Sequence, residues 1–134
     1  MTILEFINYS VSLNNTSTSL IKDISFKLER AQTLGIVGES GSGKSLTALS
    51  ALGLLNRRIF SIKGQVLVNT RNIFELTESD LNNIRGNEIS MIFQEPMLSL
   101  NPVKDLQSQI YECAELSDKN LNHNDIKNSL NAVG

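Results

Sequence analysis

The sequence has few of the features that mark secreted, membrane-spanning or nucleic-acid-binding proteins. It contains 1 cysteine, so no disulfide can form within the chain. No apolar run approaches the ~18 residues of a membrane span, and the N terminus lacks the basic and apolar stretches of a secretory signal. Lys and Arg total 12 against 14 for Asp and Glu, which offers no basic surface for a nucleic acid. We therefore expect a soluble chain of cytoplasmic type that has no nucleic-acid partner.

Size and composition predict one folded domain. The 134 residues suffice for one domain of ordinary size but not for two. Hydrophobic residues make up 40% and charged residues 19%, which excludes a charge-rich disordered chain. Up to about Phe93, short apolar runs alternate with polar turns, whereas beyond Asn101 the pattern is helical and then rich in asparagine. The chain therefore has a β-rich first zone and a helical second zone.

Apolar spacing predicts an α/β fold with mixed sheets. Alternating runs bounded by turn residues predict antiparallel strands over Leu4–Val11, Ile24–Leu28, Gly64–Val68 and Ile73–Phe74. Two other runs, Leu34–Val37 and Ile89–Phe93, are apolar almost throughout, as buried strands of a parallel sheet are. Leucines at helical spacing predict a helix over Ser45–Leu55, and a further helix is expected over Leu106–Leu116. Thr77 is the expected N-cap of a short helix.

Residues 38–45 carry the clearest chemical signal. They match the pattern G-x-x-x-x-G-K-[S/T] at every fixed position, after a strand-like run and before a helix. Three glycines allow positive φ and bare backbone, so that successive N–H groups can surround a phosphate. Lys44 would add a positive charge for the β- and γ-phosphates, and the Ser45 hydroxyl can ligate Mg²⁺. The predicted phosphate-binding residues are Gly38, Glu39, Ser40, Gly41, Ser42, Gly43, Lys44 and Ser45.

A polar side chain ends the second apolar run. If Ile89–Phe93 is a strand, Gln94 lies at its carboxyl end, the edge at which α/β sheets bind ligands. A neutral amide at that edge could accept a hydrogen bond from water or ligate Mg²⁺. The residues alone leave a second interpretation open, a polar strand end that leads into a surface loop.

The string MIFQEPMLSLNPV, over Met91–Val103, and the Glu-Ser-Gly-Ser filling of the phosphate loop resemble the ATP-binding subunits of ABC transporters. These motif sequences are most similar to those of the branch that imports peptides and nickel, including dipeptide, oligopeptide and microcin C importers. The resemblance covers residues 1–134 and implies an ABC-type P-loop NTPase fold. It divides the chain into an antiparallel β-subdomain with the P-loop core, residues 1–93, and a Q-loop with the start of a helical subdomain, residues 94–134.

The same resemblance implies ligands and partners. ATP would lie on the P-loop (the Walker A loop), and Mg²⁺ would be held by Ser45 and Gln94. Gln94 would also sense the γ-phosphate, and Leu13 would meet the adenine at a position where the family usually has an aromatic ring. The implied partners are integral-membrane permease subunits, a second ABC ATP-binding domain in a head-to-tail dimer and, indirectly, a solute-binding protein. The implied location is the cytoplasmic side of the plasma membrane.

The sequence departs from the family's catalytic pattern. It has no Leu-Ser-Gly-Gly-Gln-like signature, no apolar run ending in Asp-Glu (the Walker B element) and no switch histidine. His123 is the only histidine, and we expect it on the surface. We therefore expect an N-terminal fragment of an importer ATPase that binds MgATP and holds no catalytic residue. The alternative is a truncated product or gene remnant with at most nucleotide binding, whereas an unrelated P-loop kinase or GTPase is disfavoured by the string after Gln94.

The missing elements also predict a cost in stability. In the family fold, strands from later in the sequence cover the run before the P-loop. Without them, Leu34–Val37 would present unpaired backbone groups and an apolar face. We expect the isolated chain to be marginally stable or prone to aggregate.

Overall fold

The computed structural model describes residues 1–95, 100–116 and 122–133. The chain forms two compact units, Met1–Arg85 and Gly86–Gly134. The first unit holds β1 (Thr2–Leu13), β2 (Ser19–Glu29), α1 (Lys44–Ala51), β3 (Phe60–Val68), β4 (Arg71–Asn72) and α2 (Glu78–Ile84). The second unit holds α3 (Leu106–Leu116) and α4 (His123–Val133).

The four strands form one sheet in the order β2-β1-β3-β4, and all pairs among the described residues are antiparallel. The antiparallel strands predicted over Leu4–Val11, Ile24–Leu28 and Gly64–Val68 are confirmed within β1, β2 and β3, which are longer than expected, whereas the fourth strand is formed by Arg71–Asn72 and not by the predicted Ile73–Phe74. A two-residue turn at Asn69 and Thr70 joins β3 to β4, with φ of 46° and 72°, the conformation that suits the twist of a hairpin. Ile73–Phe74 lies outside β4, but the Ile73 N–H still donates to the Val66 carbonyl at 3.0 Å.

One face of the sheet supplies the core of the first unit. Phe6 and Tyr9 of β1 are 1% and 0% exposed, and their rings meet edge to face with centroids 5.1 Å apart. The Phe26 ring stacks on that of Phe6 with centroids 4.5 Å apart, and the Phe74 ring stacks on that of Tyr9 with centroids 5.9 Å apart. Burying each large apolar side chain contributes about 2 kcal/mol, so this aromatic row anchors the sheet on which the phosphate loop rests.

The helices of the first unit are short, and their ends have identifiable causes. α1 ends four residues earlier than its leucines predict, because Gly53, with φ of 64°, takes a left-handed conformation. Leu52 and Leu55 are nevertheless buried. α2 begins as predicted at the N-cap Thr77, which forms a capping box with Asp80.

The two predicted strands of a parallel sheet are not formed within the described part of the chain. Neither Leu34–Val37 nor Ile89–Phe93 belongs to a strand, apart from a single bridge at Ile89. Val37 is 93% exposed and Ile92 is 90% exposed. A strand needs a neighbour that accepts and donates its ladder hydrogen bonds, and no described strand lies beside these runs. The expectation of buried strands was therefore wrong for this chain.

The second unit is helical where the sequence predicts it. α3 covers the expected residues, and Asp105 precedes it and accepts hydrogen bonds from the N–H and hydroxyl of Ser108 at 2.8 and 2.7 Å. These bonds hold the pKa of the Asp105 carboxyl below its ordinary value. His123 begins α4 and is exposed, as predicted. None of the helices in the described ranges is long and apolar enough to cross a membrane.

Candidate functional site

The three glycines of the phosphate loop are required for different reasons. Gly41 and Gly43 have φ of 80° and 91°, which strains any residue with a side chain. A Cβ at Gly38 would lie 2.6 Å from the Ser42 Oγ, so a side chain at this position is disfavoured by lack of space. A Cβ at Gly43 would lie 3.1 Å from the Leu20 carbonyl oxygen, because β2 passes close behind the loop. The loop conformation and its seat on the sheet both depend on bare backbone.

The loop leads directly into the N-terminus of α1. Gly43 is the N-cap, and no side chain caps the helix there. The first turn, from Lys44 to Thr47, contains no acidic residue. The unpaired N–H groups and the positive end of the helix dipole are therefore available to an anion.

The Lys44 side chain folds back over the loop. Its Nζ donates hydrogen bonds to the carbonyl oxygens of Gly38 and Glu39 at 2.8 and 2.6 Å and to the Ser42 Oγ at 3.3 Å. Three acceptors from one loop fix the ammonium group beside the helix N-terminus. A unit charge pair at 4 Å is worth about 4 kcal/mol at an effective dielectric of 20, so this placement matters for a bound phosphate.

The sequence profile of the ABC transporter family matches residues 21–133, which include the loop and α1. The chain belongs to the ABC transporter family. This membership confirms the predicted fold class, an α/β P-loop NTPase of ABC type, and agrees with the antiparallel sheet and helices of the structure.

The chain is similar in sequence to three curated ATP-binding proteins of this family. It is 45% identical over 112 residues to the dipeptide transport ATP-binding protein DppD of Lactococcus lactis, covering 82% of this chain and 32% of that protein. It is 50% identical over 94 residues to the oligopeptide transport ATP-binding protein OppD of Escherichia coli, covering 69% of this chain and 27% of that protein. It is 42% identical over 118 residues to the uncharacterized ABC transporter ATP-binding protein YejF of Escherichia coli, covering 86% and 22%. The chain thus spans less than a third of the length of these relatives.

The Walker A residues predicted from the sequence lie together in the first unit. Glu39 and Ser40 are exposed on the loop, where the Ser42 N–H donates to the Glu39 carbonyl at 3.2 Å. Ser45 is exposed on the first turn of α1, next to Lys44. One continuous loop and helix therefore hold the whole set.

The two remaining predicted site residues are not part of the phosphate loop. Gln94 is exposed in the second unit, and the string that follows it from Pro96 to Ser99 lies outside the described residues. Leu13 is half-buried at the end of β1, opposite Phe60 of β3. The Mg²⁺ contact of Gln94 and the adenine contact of Leu13 both stay predictions.

An open groove lies beside the loop in the first unit. Its volume is about 600 Å³, and its walls are β2 and residues 34–37. Ser42, Lys44 and Thr47 line the end nearest the phosphate loop. Leu34 and Ile36, on the other wall, are 44% and 48% exposed. The apolar run before the loop therefore faces open space rather than a neighbouring strand.

Sequence reasoning missed the support that Thr47 gives to the loop. Thr47 is buried, and both its N–H and its hydroxyl donate to the Gly43 carbonyl oxygen, at 2.8 and 2.9 Å. A threonine four residues after the last glycine was the available signal, since threonine hydroxyls in helices often bond the carbonyl one turn earlier. This second bond fixes the N-cap residue at the point where the loop becomes helix.

Proposed function

We propose that residues 38–45 of this chain bind the triphosphate of ATP. The observation that carries the proposal is the position of the Lys44 ammonium, held by the carbonyl oxygens of Gly38 and Glu39 beside the uncapped N-terminus of α1. A positive charge held next to the positive end of a helix dipole and its unpaired N–H groups favours the binding of an anion. The positive φ of Gly41 and Gly43 and the close approach of Ser42 to Gly38 support the same use, because they favour bare backbone in the loop.

Mg²⁺ belongs to the proposal as the companion of the nucleotide. Magnesium takes oxygen ligands and is usually held by one or two protein groups together with phosphate oxygens. The Ser45 hydroxyl, exposed on the first turn of α1, fits this donor chemistry, and the Gln94 amide oxygen is the second proposed ligand. When bound, the ion would neutralise charge between the β- and γ-phosphates.

We further propose that the chain is the ATP-binding part of a peptide importer. The names of two relatives, a dipeptide and an oligopeptide transport ATP-binding protein, support this substrate class. The proposed partners are permease subunits in the membrane, a second ABC ATP-binding domain in a head-to-tail dimer and, through the permease, a solute-binding protein. The proposed location is the cytoplasmic face of the membrane. No residue of this chain is proposed as a catalytic base.

Competition between ligands tests nucleotide binding. A fluorescent ATP analogue bound to the chain in the presence of Mg²⁺ should be displaced by ATP and ADP but not by adenosine, because the proposed site binds the phosphate groups. Displacement should weaken when Mg²⁺ is removed with a chelator. Equal displacement by adenosine and ATP would show that the loop is not the site.

Peptide uptake tests the transport proposal separately. Deleting the encoding gene in its own organism should reduce the uptake of a labelled oligopeptide. A gene copy carrying Lys44→Ala should fail to restore uptake, whereas a copy carrying Lys127→Ala, which removes an exposed lysine from α4, should restore it. Unchanged peptide uptake after deletion would reject peptide import while leaving nucleotide binding intact.

A further inference from the structure

The Arg85 side chain joins the two helices of the first unit. It is the C-cap residue of α2, and its guanidinium reaches the end of α1. Its Nε donates to the Leu52 carbonyl at 2.9 Å, and its Nη2 donates to the Gly53 carbonyl at 3.1 Å. Nη1 forms an ion pair with Glu78 of α2. The side chain is 21% exposed, so these charge-assisted bonds are partly shielded from water.

The end of α1 needs such a partner. The last carbonyl groups of a helix have no partner within the helix, and they carry the negative end of its dipole. α1 has no basic residue in its own last turn, so the positive charge at this end is supplied by Arg85 from outside the helix. The planar guanidinium can satisfy two carbonyls at once, which a lysine ammonium does less well.

The length of α1 makes its position depend on its ends. The helix has 8 residues, about 12 Å at 1.5 Å per residue. A helix this short has little stability of its own and is placed by tertiary contacts. At its start Gly43 lies close against β2, and at its end Gly53 lies so close to α2 that a Cβ there would be 3.3 Å from the Leu81 Cδ2. Arg85 adds the polar contact at this second end.

We propose that Arg85 is a positioning residue for nucleotide binding. By holding the Leu52 and Gly53 carbonyls, it fixes the helix whose opposite end presents Lys44 and the free N–H groups to phosphate. The inference rests on the proposed binding of MgATP by residues 38–45. Arg85 acts through α1, and its effect is on how well the binding groups are placed before the ligand arrives.

Two substitutions and two controls test this role. Arg85→Met removes both the positive charge and the planar guanidinium that reaches two carbonyls. Arg85→Lys keeps only the charge. Arg58→Met removes an exposed arginine from the connection before β3. Val66→Ala destabilises the sheet core, where Val66 is 0% exposed, without touching the contacts of Arg85.

Nucleotide affinity is the first readout. Arg85→Met should raise the Kd for MgATP about fivefold, equivalent to about 1 kcal/mol, with a smaller rise for Arg85→Lys. Arg58→Met and Val66→Ala should bind as the unaltered chain does under conditions where all variants are folded. An Arg85→Met variant with unaltered affinity, or an equal loss in Val66→Ala, would overturn the inference.

Amide hydrogen exchange is the second readout, and it needs no ligand. In Arg85→Met the amides of α1, including that of Thr47, should exchange faster while those of β1 and β3 keep their rates. Uniformly faster exchange throughout the first unit would show a general loss of stability and overturn the positioning role. If the unaltered chain fails to bind MgATP, the proposed function and this inference both fall. If the unaltered chain binds but Arg85 proves irrelevant, only this inference falls.

Discussion

The Lys44 ammonium lies 2.6 Å from the Glu39 carbonyl oxygen, five residues earlier on the same loop. Together with the bond to the Gly38 carbonyl oxygen, this contact joins the end of the phosphate loop to its beginning through the lysine side chain. Two of the three acceptors that position the charge are therefore backbone carbonyl oxygens, and the third is the Ser42 hydroxyl. The exposed side chains of Glu39 and Ser40 take no part in this arrangement, because the contact to Glu39 uses its carbonyl oxygen.

Gly38→Ala should weaken MgATP binding with little loss of stability. Its Cβ would lie 2.6 Å from the Ser42 Oγ, so the hydroxyl must move away and release its bond with Lys44. We expect the Kd to rise about fivefold, the effect of losing roughly 1 kcal/mol. Gly35→Ala is the matched control, because no described atom lies within 4 Å of a Cβ there. If both variants bind equally well, the contact between Gly38 and Ser42 has no role in binding.

Gly64→Ala should destabilise the sheet. Gly64 has φ of 80°, and its Cβ would lie 2.3 Å from the Asn8 carbonyl oxygen, where the register of β1 and β3 shifts. Backbone atoms cannot rotate away as a side chain can. We therefore expect the free energy of unfolding, measured in urea, to fall by at least about 2 kcal/mol. Gly41→Ala has the same φ of 80° but open space around the Cβ, and it should cost only about 1 kcal/mol. Equal costs would mean that conformation alone matters at Gly64.

The capping box of α2 should make its stability depend on pH. Hydrogen bonds from the Thr77 hydroxyl and N–H hold the pKa of the Asp80 carboxyl below its ordinary value. Because the folded pKa is below the unfolded one, the contribution is complete above about pH 4 and is lost as the pH falls through the folded value. Thr77→Val should flatten the pH dependence of amide exchange in α2 below about pH 4. Ser79→Ala, in the same turn, should leave the profile unchanged, and identical profiles for all three chains would refute the assignment.

The chain should associate with itself through the run before the P-loop. Leu34, Ile36 and Val37 are 44%, 48% and 93% exposed, beside an open groove. Exposed contiguous apolar surface favours aggregation. We expect concentration-dependent light scattering and binding of a hydrophobic dye, both reduced by Val37→Ser. A monodisperse monomer that unfolds in one sharp transition would contradict this expectation.

The sequence predicted those elements whose causes are local. The start of α2 at Thr77 is specified within its own first turn, and the phosphate loop is specified by its own glycines and lysine. The antiparallel strands were predicted because apolar and polar residues alternate within each run and turn residues bound it, although the pairing of β1 with the distant β3 is visible only in the fold.

The elements that depend on distant partners could not be predicted in this way. The apolar runs at Leu34–Val37 and Ile89–Phe93 indicate burial, but burial needs a strand beside them, and none of the described strands lies there. Arg85 had no predicted role, because its carbonyl partners Leu52 and Gly53 are 33 and 32 residues away. Local pattern identifies the binding loop, whereas the contacts that place it appear only in the fold.

The most direct test of the central claim is the affinity of the chain for MgATP with and without the loop lysine. Isothermal titration of the unaltered chain, Lys44→Ala and the charge-matched control Lys127→Ala gives the three values needed. We expect Lys44→Ala to weaken binding by at least about tenfold, or about 1.4 kcal/mol, and Lys127→Ala to leave it unchanged. Equal affinities for all three chains would contradict the assignment of residues 38–45 as the nucleotide site.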